Sequence, residues 1–246
     1  MRLIAALFAV IAFAARAEGP RTYAIVSLLG DQLAVVAPGS TTGTSVDHST
    51  HGYLKLDSPA LDKAALLAAD TALRGADVAA TSALLLVRDP AIYQAQDKSL
   101  EDGAAVASLV PMLAGTLRSV HATHLLLLTK MRHDASFETA RSHVGQGRLE
   151  GLGFYVDRAT RVDDESERTE YVGFLGPYAY FRISLIDLDG PRVVAQKDVV
   201  ASQTRIAKSS VHPWEELDAQ QKVSALESML STKIAEGVPQ VLKSAR

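Results

Sequence analysis

Four consecutive leucines, Leu125–Leu128, sit inside the block HATHLLLLTK. A strand of this kind has no polar side to turn to water, so it needs cover on both faces of its sheet. That demands helices above and below, and the flanking sequence offers them. Upstream, Ser99 with Asp102 three residues on has the form of a capping box, opening a helix to about Val120 that Pro111 should kink or split. Further upstream, Asp57 or Ser58 caps a helix with Pro59 in its first turn and Gly75 past its end, striped by Leu61, Ala64, Ala65, Ala68 and Ala72. The segment Thr81–Val87, apolar from Leu84 onward, reads as a second strand buried on both faces.

The rest of the chain reads as strands and one late helix. Tyr23–Leu29 and Gln32–Val36 flank Gly30-Asp31, which suits a tight β-hairpin turn. Residues 37–52 are rich in Ser, Thr, Gly and His without periodicity and read as a mobile loop. Gly147–Asp157 and Tyr178–Asp187 read as strands, with the charged stretch 158–170 between them as a second surface loop. In the later strand Phe181, Ile183 and Leu185 alternate with Arg182 and Ser184, the mark of a sheet with one covered side. A turn at Leu188–Pro191 leads into a returning strand over Arg192–Thr204. From His212-Pro213 a helix follows, carrying Val223, Leu226, Leu230 and Ile234, interrupted near Gly237 and Pro239. The fold expected is α/β of the mixed α+β kind: a single mixed sheet with an N-terminal hairpin, two crossover helices, an antiparallel meander and a C-terminal helix.

The N-terminus reads as an address. One basic residue, Arg2, precedes the apolar run Leu3–Ala15, and Ala15 and Ala17 stand at the −3 and −1 positions of a signal-peptidase site. Residues 1–17 are therefore expected to be a signal peptide and 18–246 a single α/β domain, exported to the periplasm. Thirteen apolar residues reach roughly 20 Å as a helix, short of a bilayer core of roughly 30 Å, so stable membrane insertion after cleavage is not expected. The chain has no cysteine, which excludes disulfides, thiolate metal sites and cysteine nucleophiles, and suits an oxidising compartment. Its pI near 6.2 gives no general attraction to nucleic acid.

Motifs for chemistry are sparse. His48/His51 and His121/His124 have HxxH spacing, but neither pair lies on an expected helix and no HExxH is present, so no metal is implied. The acidic stretch from Asp157 to Glu170 is interleaved with Arg158, Arg161 and Arg168 and does not follow a calcium-loop pattern. Gly145, Gly147, Gly151 and Gly153 would share one face of an unbroken strand, where bare backbone lets a helix or an aromatic such as Tyr180 approach. No nucleophile elbow, serine–lysine motif on a common face or phosphate loop occurs, and no cofactor is implied. If the strands ending at Val87 and Met131 are parallel neighbours, Arg88, Asp89, Lys130, Arg132 and His133 gather where open α/β sheets bind ligands, as a net basic cluster fit for an anion.

The stretch YAIVSLLGDQLAVV, the block HATHLLLLTK, the segment GRLEGLGFYVDR and the strand FRISLIDLDG together resemble a group of exported proteobacterial proteins of unassigned function. The order of elements after Leu100 is more loosely similar to periplasmic α/β domains of the curli-secretion and penicillin-binding-protein-activator type, which implies an accessory or assembly role. The leading expectation is a soluble periplasmic protein that acts by binding, with an envelope protein as its partner, as an accessory factor in envelope assembly or maintenance. The alternatives are a periplasmic hydrolase with a spatially assembled site and a carrier of a small anionic ligand.

Overall fold

The computed structural model describes residues 21–39, 49–140, 142–164, 169–208 and 211–245. The expected signal peptide with Ala15 and Ala17, residues 40–48 with His48, and residues 165–168 lie outside them. Strands β1 (Thr22–Ser27), β2 (Gln32–Ala37) and β3 (Thr50–Lys55) come first. Helix α1 (Ala60–Ala76), strand β4 (Thr81–Leu85), helix α2 (Pro90–Ala95), two short 3₁₀ turns and helix α3 (Val110–Ser119) follow. Next come β5 (His124–Lys130), β6 (Arg132–Asp134), β7 (Phe137–Glu138) and β8 (His143–Val144). The chain ends with β9 (Arg148–Asp164), β10 (Thr169–Asp187), β11 (Arg192–Ser202), β12 (Arg205–Ile206) and the long helix α4 (Ala219–Ser244).

One mixed sheet dominates, in the order β3-β2-β9-β10-β5-β1-β4, with β11 and β12 on the other edge of β10. β10 is the spine. Through Tyr180 it pairs antiparallel with β9, and from Phe181 onward the same edge pairs with β5. The sheet therefore forks, one branch running through β9 to β2 and β3, the other through β5 to β1 and β4.

The four leucines stand where their composition demands. β5 lies between β10 and β1, and Leu125–Leu128 are all fully buried. Leu126 and Leu128 face one core with Tyr23, Ile25 and the α1 and α4 side chains. Leu125 and Leu127 face the other with Ala24, Val26 and the α3 residues Leu113 and Leu117. A third cluster, rich in aromatics, gathers Phe137, Tyr155, Phe174, Tyr178 and Tyr180 near the fork. Gly176 leaves the room: a Cβ there would stand 2.4 Å from the Phe137 ring.

Several local expectations are corrected. β1 and β2 do not pair across Gly30-Asp31; β1 lies between β4 and β5, and the N-terminal antiparallel pair is β2 with β3. Gly30-Asp31 is instead where the chain crosses from one branch of the fork to the other. β3 occupies residues expected in the loop over 37–52. Much of the charged stretch 158–170 is strand, because β9 runs on to Asp164 and β10 begins at Thr169. β4 is an edge strand, partly exposed, rather than covered on both faces. Pro111 divides its segment into a 3₁₀ turn capped by the Asp102 carboxylate and the helix α3. α4 passes through Gly237 and Pro239 unbroken; Gly237 is needed for packing, since a Cβ there would meet Ile183 at 2.5 Å.

Candidate functional site

The strands β4, β1 and β5 run parallel, with β1 in the middle. The connection from β1 to β4 carries α1 on one face of the sheet, and that from β4 to β5 carries α3 on the other. The chain thus leaves the neighbouring strands β1 and β4 on opposite faces of the sheet, which opens a crevice at the strands' carboxyl ends. A cleft of about 770 Å³ lies there, lined by Asp31, Asp62, Arg88, Tyr93, Asp97 and Lys130 among others.

Its floor is built by hydrogen bonds that replace the ladder where β1 and β5 part. The last ladder bond runs from the Leu28 N–H to the Leu128 carbonyl at 2.9 Å. Beyond it the buried Gln96 side chain spans the gap, donating to the Leu28 carbonyl at 2.9 Å and accepting from the Lys130 N–H at 3.0 Å. The Lys130 ammonium is paired with Asp31 in a short contact. Its stem crosses bare backbone at Gly151, where a Cβ would stand 2.9 Å from Lys130 Cδ and where φ is +61°.

Asp62 holds the second part of the floor. It projects from the first turn of α1 and is 1% exposed. Its Oδ1 accepts from the Ser27 hydroxyl at 2.6 Å and from the N–H groups of Leu29 and Gly30 at 3.0 and 3.1 Å. Its Oδ2 accepts from the Tyr93 hydroxyl at 2.8 Å. Burial raises the Asp62 carboxyl above its ordinary range, against the opposing pull of these donors. Burial and the Asp62 charge keep the Tyr93 hydroxyl protonated far above neutrality. Gly30 is tight against this carboxylate, with a Cβ position 2.9 Å from the Asp62 nitrogen.

The expected five-residue cluster is divided. β1 stands between β4 and β5, so the strands ending at Val87 and Met131 are parallel but not neighbours. Arg88 and Lys130 line the cleft. Asp89 caps α2, accepting from the Ala91 N–H at 2.9 Å. Arg132 lies on β6, bound to Glu150 at 2.7 Å and Glu101 at 3.3 Å. The His133 ring stands edge-on to Tyr180, 6.0 Å between centroids. The cluster is not a free basic surface, because Asp31 matches Lys130 and the two glutamates match Arg132.

Asp31, Asp62, Tyr93, Gln96 and Asp97 were not singled out in the sequence. Asp62 had a signal, as an acid beside Leu61 and Ala65 on the apolar stripe of a helix; Asp97 had none. Burial and the Glu150 charge raise the Asp97 carboxyl above its ordinary range, while Lys130 pulls it down. The glycine series acts by close approach, through partners other than Tyr180. Gly151 admits Lys130, and Gly153 admits the Ala34 carbonyl and the Tyr178 hydroxyl. Gly145 and Gly147 precede β9, so the four do not share one strand. Among the described residues no three of His, Asp and Glu gather as a metal ion would need.

No family model matches this chain, and no curated protein does. Among solved structures it is similar to a Xanthomonas campestris protein described by the family-model DUF330, at 10% identity and a TM-score of 0.37. The likeness covers 91% of this chain and 84% of that one. None of these comparisons supports the looser likeness to domains of the curli-secretion or penicillin-binding-protein-activator type. Among the described residues no helix is long and apolar enough to cross a membrane.

Proposed function

We propose that this chain is an exported periplasmic protein that acts by binding, as an accessory factor in envelope assembly or maintenance, and that it takes a small polar ligand in the cleft at the ends of β4, β1 and β5. The observation carrying the binding part is the prebuilt floor of that cleft. Gln96, Lys130–Asp31 and Asp62–Tyr93 satisfy one another before any guest arrives, so a ligand would meet a formed surface. Export rests on the basic, apolar and small-residue order of residues 1–17 and on the lack of cysteine.

The test is made in intact cells. A C-terminally tagged chain is cross-linked, recovered from the periplasmic fraction and analysed by mass spectrometry for its first residue and its partners. An N-terminus at Glu18 and one dominant envelope protein are the expected results. A chain that keeps Met1 in the cytoplasm sinks the export reading, and a chain recovered alone from the periplasm sinks the accessory role.

A further inference from the structure

The charges left over in the cleft describe a guest. Lys130 is paired with Asp31, and Asp62 is closed off by its four donors. Lys55 and Asp57, exposed, opposite in sign and two residues apart, stand where β3 ends and together add no net charge to the rim. Two charged lining groups remain. The Asp97 carboxylate, beside the end of β5, has no hydrogen bond or ion pair among the described residues, and neither has the Arg88 guanidinium beyond the end of β4. The nearby cations Lys130 and Arg132 both favour the Asp97 carboxylate from a distance, but their own ion pairs are with Asp31 and with Glu150 and Glu101.

These two charges belong to different strand ends of the crevice. Arg88 extends the end of β4, Asp97 lies beside Lys130 at the end of β5, and β1 separates them. Neighbouring strands lie about 4.8 Å apart, so the ends of β4 and β5 are on the order of 10 Å apart. The Asp62–Tyr93 and Asp31–Lys130 pairs, each hydrogen-bonded within itself, also line the cleft. The guest that complements this order is dipolar, positive at one end and negative at the other, with an uncharged polar middle.

We propose that the cleft takes a short peptide of about three residues, its free N-terminal ammonium on Asp97 and its C-terminal carboxylate on Arg88. An extended chain advances roughly 3.3–3.6 Å per residue, so three residues match the span and a single amino acid does not. The peptide's amide groups would lie over the Tyr93 hydroxyl and the Lys130–Asp31 pair, which can donate and accept. This inference rests on the reading of the cleft as a ligand site and narrows it to one class of ligand.

The test is calorimetric titration of the protein as recovered from cells with tri-alanine, N-acetyl-tri-alanine and tri-alanine amide, with inorganic phosphate in parallel. Tri-alanine should bind, and blocking either end should weaken it about tenfold or more, the usual worth of a lost charge-assisted hydrogen bond. Asp97→Asn should lose the preference for the free amine, and Arg88→Ala the preference for the free carboxylate, each with an unchanged circular dichroism spectrum. Equal binding of all three peptides, or silence from tri-alanine, overturns the inference. Phosphate binding that depends on Arg88 while tri-alanine stays silent overturns the peptide class and leaves the cleft as a ligand site. Silence from all four probes removes both.

Discussion

The Asp62 carboxylate accepts the Ser27 hydroxyl at 2.6 Å, joining the first turn of α1 to the last residue of β1 across 35 residues of sequence. The same carboxylate binds the Leu29 and Gly30 N–H groups, so it fixes the point where the chain leaves one branch of the sheet for the other. Asp62→Ala would leave these buried donors without an acceptor. It should cost about 3–5 kcal/mol, the range for breaking a buried charged network from one side. Asp62→Asn keeps an accepting oxygen and should cost less than half as much. Urea unfolding of the two variants checks the order.

Asp62 also gives a pH dependence of defined sign. Burial raises its carboxyl in the folded chain above the ordinary 3.8, so the folded state holds the proton more tightly than the unfolded state. Its contribution to stability is therefore fully present below the unfolded value and is lost as pH rises through the folded one. Asp70 works in the opposite direction: burial pushes it up, but Ser82 and Arg74 more than offset this and hold it low. A comparison with Asp62→Asn cancels Asp70. As pH falls from neutral toward 3.8, the wild type should gain stability relative to that variant. A constant difference across the range would refute the assignment.

Gly153 and Gly190 separate packing from backbone strain. A Cβ at Gly153 would stand 2.1 Å from the Ala34 carbonyl oxygen and 2.7 Å from the Tyr178 hydroxyl. Since Ala34 and Gly153 are partners in the β2–β9 pairing, Gly153→Ala must push these strands apart. A loss of about 3 kcal/mol or more is expected, in the upper range of overpacking. Gly190 has φ of +84° and open space around its Cβ position. Gly190→Ala should cost only about 1–2 kcal/mol, for the left-handed backbone alone. Thermal unfolding distinguishes the two.

The parts legible in the sequence were those set by local pattern. Leu125–Leu128 marked a strand covered on both faces, and all four leucines are buried between β10 and β1. Pro111 marked its boundary because the missing N–H acts within one turn, whereas the capping box expected from Ser99 does not form: Asp102 itself is the cap, and the Ser99 hydroxyl donates to the Gln96 carbonyl. What local pattern does not encode is the pairing partner. Gly30-Asp31 has the residues of a hairpin turn, yet β1 is taken between β4 and β5 and β2 by β9, contacts far away in sequence. The same blindness made β4 look central, since Leu84–Val87 is apolar enough for either place. The cleft was half legible for this reason. Arg88 and Lys130 follow from strand ends, whereas Asp31 reaches the same place where the chain crosses between the branches and Asp97 through the turn after α2, and Glu150 and Glu101 hold Arg132.

Arg182 offers a last test, of how the strand ends are kept in register with the helical layer. Its side chain is 7% exposed and binds Asp198 through two nitrogens, at 2.6 and 3.0 Å. A third nitrogen donates to the Ser99 carbonyl at 3.0 Å. Beside it Gln196 donates to the Gly103 carbonyl at 2.7 Å and to the Ser184 hydroxyl at 2.9 Å. Together they tie the 3₁₀ turns around residues 96–109, which carry Gln96 and Asp97 of the cleft, to β10 and β11. Arg182→Ala removes the tie and leaves Asp198, half in solvent, to rehydrate. The cost should fall near 3 kcal/mol, at the low end for a broken buried pair. Asp198→Ala should cost at least as much, since it leaves the buried guanidinium with the Ser99 carbonyl but without its counter-ion. Amide hydrogen exchange gives the sharper readout. In Arg182→Ala it should quicken over residues 103–109 while β5 stays protected, and equal acceleration in both places would mean that the arginine supports the whole sheet rather than this layer.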